Sequence, residues 1–435
     1  MGHSGAQRLN PGRTGAGGSE GVSVVEREAQ NQGVPPLGAN RDFRLLWLGS
    51  VVSVLGSRAS AIAYPLLVLA LTGSAADAGL VGFTATIPYL LLQLPAGALV
   101  DRWNRKHLMI ACDAGRALAV GSIVLALAWG RISLAQIMAV SFIEGSLYVF
   151  HSLAEPAAVR NIVHPHHLPV AMSQIEARER GAALLGQPLG GFLFDLGRAV
   201  PFLADAPSYL ASLTALLLIK GKLQGERPAA RGAFMGEIAQ ALVWLWRQRF
   251  LRATAMLIAG SNLLFQALNL LVIVIAREHG ASSTAIGLLL AGFGVGGVLG
   301  SLAAPWFQRR LPMKAIVIGA NWVWALALPG IGLVDNLITL AALLGLMAFV
   351  GPLWNVAIDV YRLLITPDEL QGRVGSAISL LAWGAIPLGS LLAGYLLESV
   401  GSWTTTMVLS AGMVLVALAA SISPAIRRAP GRTEP

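Results

Sequence analysis

Gly97-Ala98-Leu99-Val100-Asp101-Arg102-Trp103-Asn104-Arg105-Lys106 separates two long apolar stretches, one near 78–99 and the next near 107–129. A short run of mixed charge, entered through a glycine, reads as a tight turn between antiparallel helices at a membrane face. A span needs about 20 apolar residues at a rise of about 1.5 Å each. Working outward from this turn gives twelve such segments, near 43–71, 78–99, 107–129, 133–154, 169–195, 200–220, 251–276, 284–306, 312–334, 336–357, 372–397 and 401–424.

Composition agrees with a polytopic membrane protein. The 435 residues are 55% hydrophobic and 12% charged, with a mean hydropathy of +0.67, whereas soluble domains average about 25% charged. The net charge of +9 does not form one patch. The bases are dealt out between apolar segments, which argues against a nucleic-acid partner. Cys112 is the single cysteine, so an intramolecular disulfide is excluded. The first 40 residues lack an apolar stretch of signal-peptide type.

The expected organisation is a disordered cytoplasmic tail (1–40), a first six-helix half (41–220), a cytoplasmic linker (221–250), a second six-helix half (251–424) and a short cytoplasmic tail (425–435). With the amino terminus inside, 24 of the 31 Lys and Arg fall on the cytoplasmic side. Only Arg131, Arg198 and Arg277 fall outside, and Arg58, Arg116, Arg178 and Arg180 lie within spans. That bias predicts both termini in the cytoplasm of a cell-membrane protein. A weak internal repeat supports two halves. Gly300-Ser301-Leu302-Ala303-Ala304-Pro305-Trp306-Phe307-Gln308-Arg309-Arg310 echoes the opening motif, with Ala304 where Asp101 stands. Glu155 to Leu168 is echoed more faintly by Arg362 to Val374.

Gly97, Asp101, Arg102, Arg105 and Lys106 match the G-x-L-x-D-R-x-x-R-K/R loop of the major facilitator superfamily, which this chain resembles. The resemblance implies an all-α membrane protein of twelve helices in two pseudo-symmetric halves, with a substrate cavity between them near the midplane. It also implies that the loop gates the cytoplasmic side. Gly181-Ala182-Ala183-Leu184-Leu185-Gly186-Gln187-Pro188-Leu189-Gly190-Gly191 is similar to the G-P-x-x-G-G signature of proton-coupled exporters, with Gln187 at the usual proline position. Asn40-Arg41-Asp42-Phe43-Arg44-Leu45-Leu46-Trp47, Pro65-Leu66-Leu67-Val68, Thr72-Gly73-Ser74 and Glu155-Pro156-Ala157 resemble the drug-efflux branch that includes macrolide and enterobactin exporters. The branch implies export of a bulky, partly apolar molecule by proton antiport. Uptake by the same fold and a non-transporting receptor are the alternatives.

Charges inside spans each cost about 2.5–3.5 kcal/mol at a helix centre on insertion scales, so they point to function. Arg58 and Glu144 lie near the middles of the first and fourth spans. Glu144 is the proton-coupling candidate with Arg58 as counter-ion, or the two form a permanent structural pair. Asp205 and Asp359 are the other candidates for titration. Asp113 and Arg116 read as an i, i+3 structural pair. Glu176 and Arg180, at i, i+4, read as part of a cytoplasmic gate with the Asp101 loop or as solvated charges. Asn262, Gln266 and Asn269 share one helical face and can hydrogen-bond a ligand. Trp354 and Trp383 are candidates to touch its apolar parts.

His164-Pro165-His166-His167 lacks helical metal-ligand spacing, so no metal is expected. No Walker loop or nucleophile–base set is visible, so neither a cofactor nor an enzyme activity is expected. A monomer is expected, because each chain would hold a complete cavity.

Overall fold

The computed structural model describes residues 35–224, 243–334, 336–366 and 371–428. Most of both expected tails, much of the linker and residues 367–370 of the second repeat lie outside the described residues. Ten long helices come first: α1 (Arg41–Thr72), α2 (Ala75–Arg102), α3 (Arg105–Ala128), α4 (Leu134–Ile162), α5 (Leu168–Leu196), α6 (Val200–Leu218), α7 (Arg249–Glu278), α8 (Ser283–Arg310), α9 (Met313–Leu333) and α10 (Leu337–Ile365). α11 (Gln371–Gly384) and α12 (Ile386–Ile422) complete the bundle. No strand occurs among the described residues.

The starts of these helices follow from capping chemistry. Asn40, Ser74, Asn104, Ser133 and Ser282 each accept a bond from a first-turn amide of α1, α2, α3, α4 and α8. Gly73 closes α1 at φ 70°, in the left-handed region where glycine carries no Cβ penalty. Gly401 does more: at φ 77° and ψ 173° it breaks the helical path of α12, so the chain reverses at a single residue where a longer loop was expected.

Among the described residues, ten stretches are long and apolar enough to cross a membrane. One of them, Val374–Ile422, is 49 residues long and contains the break at Gly401. α5 is not among them, because Glu176, Arg178, Glu179 and Arg180 dilute its first half.

Short turns make successive helices antiparallel. The start of α1, the α2–α3 turn and the end of α6 share one face, where Asn40 donates to the Ile162 carbonyl and Lys106 to the Ile219 carbonyl. This is called here the terminal face, and the opposite one the far face. Within α1–α6, α1 packs on α5 and α6, α2 on α4, and α3 on α4 and α6. Within α7–α12, α8 packs on α10, and α12 on α7 and α9. The two groups meet mainly along α2 with α12 and α5 with α8. The closest approaches there lie in the far-face halves of those helices, at Gly79 against Ser390 and Gly191 against Ser283.

Small residues set the spacing inside each group. On α8, Gly296 lies against the Gly345 carbonyl and Gly300 against the Phe349 carbonyl, with no room for a Cβ on either glycine. Gly300→Ala is therefore expected to destabilise the solubilised protein by about 1–3 kcal/mol, although alanine is the better helix former. Gly319→Ala, with nothing within 4 Å of the new methyl, is the control. Equal unfolding midpoints for the two variants would show that the α8–α10 contact is slack.

Candidate functional site

Three adjoining compartments form a cavity, two between the groups and one within α7–α10. The first, about 370 Å³, is walled by Arg58, Tyr64, Tyr89, Arg116, Glu144 and Tyr148. It shares Gln187, Gln266 and Asn269 with a second of about 430 Å³. The second shares Asn262, Phe265 and Phe293 with a third of about 330 Å³, which also takes in Trp324, Trp354 and Asn355. Ionic groups thus line the α1–α6 side, and amides and aromatic rings the α7–α12 side. An amphipathic ligand fits such a division, since neutral amides orient it without imposing a charge.

Glu144 is the best-furnished group in the cavity wall. Tyr64 Oη donates to Glu144 Oε2 at 2.7 Å and Tyr209 Oη to Oε1 at 2.6 Å. Its cation is Arg116, with Nη2 3.9 Å from Oε1. Arg116 also donates to Ser57 Oγ at 2.9 Å and stacks its guanidinium 4.2 Å from the Tyr209 ring centroid. Ser57 Oγ in turn lies 2.8 Å from Tyr209 Oη and 2.8 Å from the Ser53 carbonyl.

The expected Arg58–Glu144 pair is not formed. Arg58 Nη2 lies 3.3 Å from Glu179 of α5, and its side chain is 42% exposed. The reason is helical phase: Ser57 and Tyr64 are seven residues apart and share a face of α1 that looks toward α4 and α6. Arg58 is rotated off that face, and its Cβ lies beside Gly186 of α5. The expected Asp113–Arg116 pair is likewise replaced. Asp113 Oδ1 lies 3.6 Å from His151 Nε2 while Arg116 turns to Glu144.

Asp205 is fully buried and accepts from Ser60 Oγ at 2.5 Å and Ser208 Oγ at 3.1 Å. Asp359 is 58% exposed and pairs with Arg362 one turn on, at 3.3 Å. Asn262 Nδ2 donates to the Ala382 carbonyl at 2.9 Å and Gln266 Nε2 to Ser390 Oγ at 3.0 Å. Asn269 stands at the junction of two compartments. Trp354 is buried and tilted against Trp324 at 5.5 Å, and Trp383 stacks on Tyr89 across the two groups at 5.8 Å.

Nearer the terminal face, Asp101 is 68% exposed and meets Arg105 at 3.5 Å. Arg105 also donates to the Ala157 carbonyl, so this turn is tied to α4 within its own group. Arg102 is exposed, and a Cβ on Gly97 would meet open space. Glu176 and Arg180 pair with each other at 2.7 Å, both well exposed, and Arg180 reaches the second compartment. The buried ion pair of this region is Arg178–Glu155, two-pronged at 2.5 and 2.9 Å. Arg178 also donates to Glu179 at 3.1 Å, which links α4, α5 and, through Arg58, α1.

Tyr64, Tyr209 and Ser57 were not picked out in the sequence. A signal existed: Ser50, Ser53, Ser57, Ser60 and Tyr64 recur at helical spacing and mark a polar seam along α1.

Residues 32–431 match the family model described as transmembrane secretion effector. The multidrug efflux pump Tap of Mycolicibacterium fortuitum is 27% identical over 398 residues, covering 88% of this chain and 96% of that protein. The macrolide efflux protein A of Streptococcus pyogenes is 21% identical over 370 residues, covering 82% and 90%. Among solved structures, a nucleoside transporter superposes with a TM-score of 0.75 at 12% identity, covering 88% of this chain and all of that one, a likeness of fold. An all-helical bundle around a divided cavity, with these relatives, is a multi-pass membrane transporter of a small molecule rather than an enzyme, and the chain belongs to the transmembrane secretion effector family in the drug-efflux branch of the major facilitator superfamily.

Proposed function

We propose that the protein exports a bulky, partly apolar molecule of drug, antibiotic or siderophore type in exchange for protons, with Glu144 as the proton carrier. The observation that carries this reading is the setting of Glu144. A carboxylate in the cavity wall, held by two tyrosine hydroxyls and facing an arginine at 3.9 Å, keeps its charge while Arg116 is near and takes a proton when that contact loosens.

The ten apolar stretches, α5 and a reversal at Gly401 make twelve spans in two six-helix halves. The excess of Lys and Arg at the terminal face supports a cytoplasmic placement of that face. The far-face clasp then makes this the inward-facing state of an alternating-access cycle. Asn262, Gln266, Asn269 and Trp354 supply the substrate contacts of the second half, and the 97–106 loop with Glu176 and Arg180 supplies the cytoplasmic gate. One chain holds a whole cavity, so the working unit is a monomer.

The test is proton movement in inside-out vesicles carrying a pH gradient, over a panel of macrolides, lipophilic drugs and siderophores. At least one compound is expected to dissipate the gradient only when the protein is present. Accumulation of a panel compound in right-side-out vesicles, with no response in inside-out ones, would make the protein an uptake system.

A further inference from the structure

The far-face seam is built twice from one pattern. Gly191-Phe192-Leu193-Phe194-Asp195 closes α5, and Gly394-Tyr395-Leu396-Leu397-Glu398 precedes the break in α12. Ser282-Ser283-Thr284-Ala285-Ile286-Gly287 opens α8, and Ser74-Ala75-Ala76-Asp77-Ala78-Gly79 opens α2. In each copy the glycine lies on the carbonyl of the first helical residue of the other group: Gly191 on Ser283, Gly394 on Ala75. The second glycine lies on the carbonyl four residues before the first: Gly287 on Gln187, Gly79 on Ser390.

The acid stands four residues after the glycine, on the same helical face, and reaches the same partner helix. Asp195 accepts from Ser283 N at 2.9 Å, Thr284 N at 2.8 Å and Thr284 Oγ1 at 2.7 Å. Glu398 accepts from Ala75 N at 2.8 Å and Ala76 N at 3.4 Å. These amides are among the first donors of their helices, which have no partner inside the helix. A carboxylate there also meets the positive end of the helix dipole. Both acids cross from one group to the other, α5 to α8 and α12 to α2. They are made only while the far face is shut, since parting the groups leaves four amides without these acceptors.

We infer that Asp195 and Glu398 are paired positioning residues that hold the far face closed, and that their release sets how often the cavity opens to that side. The inference rests on the alternating-access reading above but needs neither the substrate nor the coupling ion. The two copies act together because each joins the same two bodies. Losing one weakens the closed state, and losing both weakens it by the product of the two effects.

Hydrogen exchange on the full-length protein in lipid nanodiscs, without substrate, tests this. The variants are Asp195→Asn, Glu398→Gln and the two combined, each isosteric. Amides at 74–79 and 282–287 are expected to exchange about threefold faster in each single variant and about tenfold faster in the double. Segments 97–106 and 300–310 at the terminal face are expected to become more protected, because opening one face closes the other. That reciprocal protection separates a conformational role from a local helix cap. Faster exchange at the far face alone overturns the inference, as does no change at either face. Asp195→Glu with Glu398→Asp keeps both charges and is expected to return exchange toward that of the parent. If faster exchange in the double variant spreads to α3 and α9 and the charge-keeping pair does not reverse it, the inference also fails.

Discussion

Glu144→Gln is expected to abolish uphill export and substrate-driven proton movement, while exchange of substrate down its own gradient survives. An amide at this position fills the same space: its oxygen still accepts from one of Tyr64 and Tyr209, and its NH2 donates to the hydroxyl oxygen of the other. It takes up no proton, so the two conformations no longer differ in charge at the cavity wall and the cycle loses its coupling to the gradient. Quenching of a pH-sensitive dye, with counterflow of the same compound in the same vesicles, reads both halves of this expectation. Persistence of uphill export in the Gln variant would leave Glu144 a structural acid and pass the role to Asp205, which is buried on two serine hydroxyls. Two arginine variants sharpen the result. Arg116→Gln is expected to alter coupling, because Arg116 is the cation beside Glu144. Arg58→Gln is expected to leave coupling in place, because Arg58 answers Glu179.

The largest loss of stability is expected from Arg178→Ala. Its guanidinium grips both oxygens of Glu155, and the two side chains are 2% and 7% exposed. Removing one partner of a buried pair leaves an uncompensated charge and costs about 3–5 kcal/mol. Here it also frees Glu179 of one of its two arginines. Arg178→Lys recovers only part of the loss, since an ammonium cannot make the forked contact. Arg178→Met combined with Glu155→Leu is expected to be more stable than Arg178→Ala alone, because no charge is then left unpaired. Thermal unfolding of the detergent-solubilised variants checks the order, and equal midpoints for the single and double variants would contradict it.

Much of this bundle was legible because a membrane imposes one simple rule on sequence. Apolar runs of span length, interrupted by basic turns, marked the helices and their ends, and Asn or Ser stood at the caps. The misses have a common cause. Hydropathy gives depth along a helix but not rotation about it. Arg58 and Glu144 share a depth, yet Arg58 turns toward α5 and Glu144 meets Arg116. Asp113 and Arg116 are close in sequence, yet partners on other helices claim both. Tyr209 was not picked out because tyrosine is mostly apolar, and its hydroxyl gains meaning only beside Glu144. The break between the last two spans was legible in Glu398-Ser399-Val400-Gly401-Ser402, but not that a single glycine makes it.

The hydroxyls around Ser57 carry a consequence of their own. A hydroxyl has one hydrogen, yet Ser57 Oγ has the Ser53 carbonyl and Tyr209 Oη to satisfy, while Arg116 already donates to it. When Glu144 is ionised, Tyr209 points its hydrogen at the carboxylate. When Glu144 holds the proton, it becomes the donor to Tyr209, whose hydrogen swings to Ser57, whose own then settles on the Ser53 carbonyl. The row of oxygens is thus polarised one way or the other by a single proton. The phenol C–O vibration of Tyr209 is a built-in indicator of that orientation, readable by infrared difference spectroscopy as the external pH is cycled.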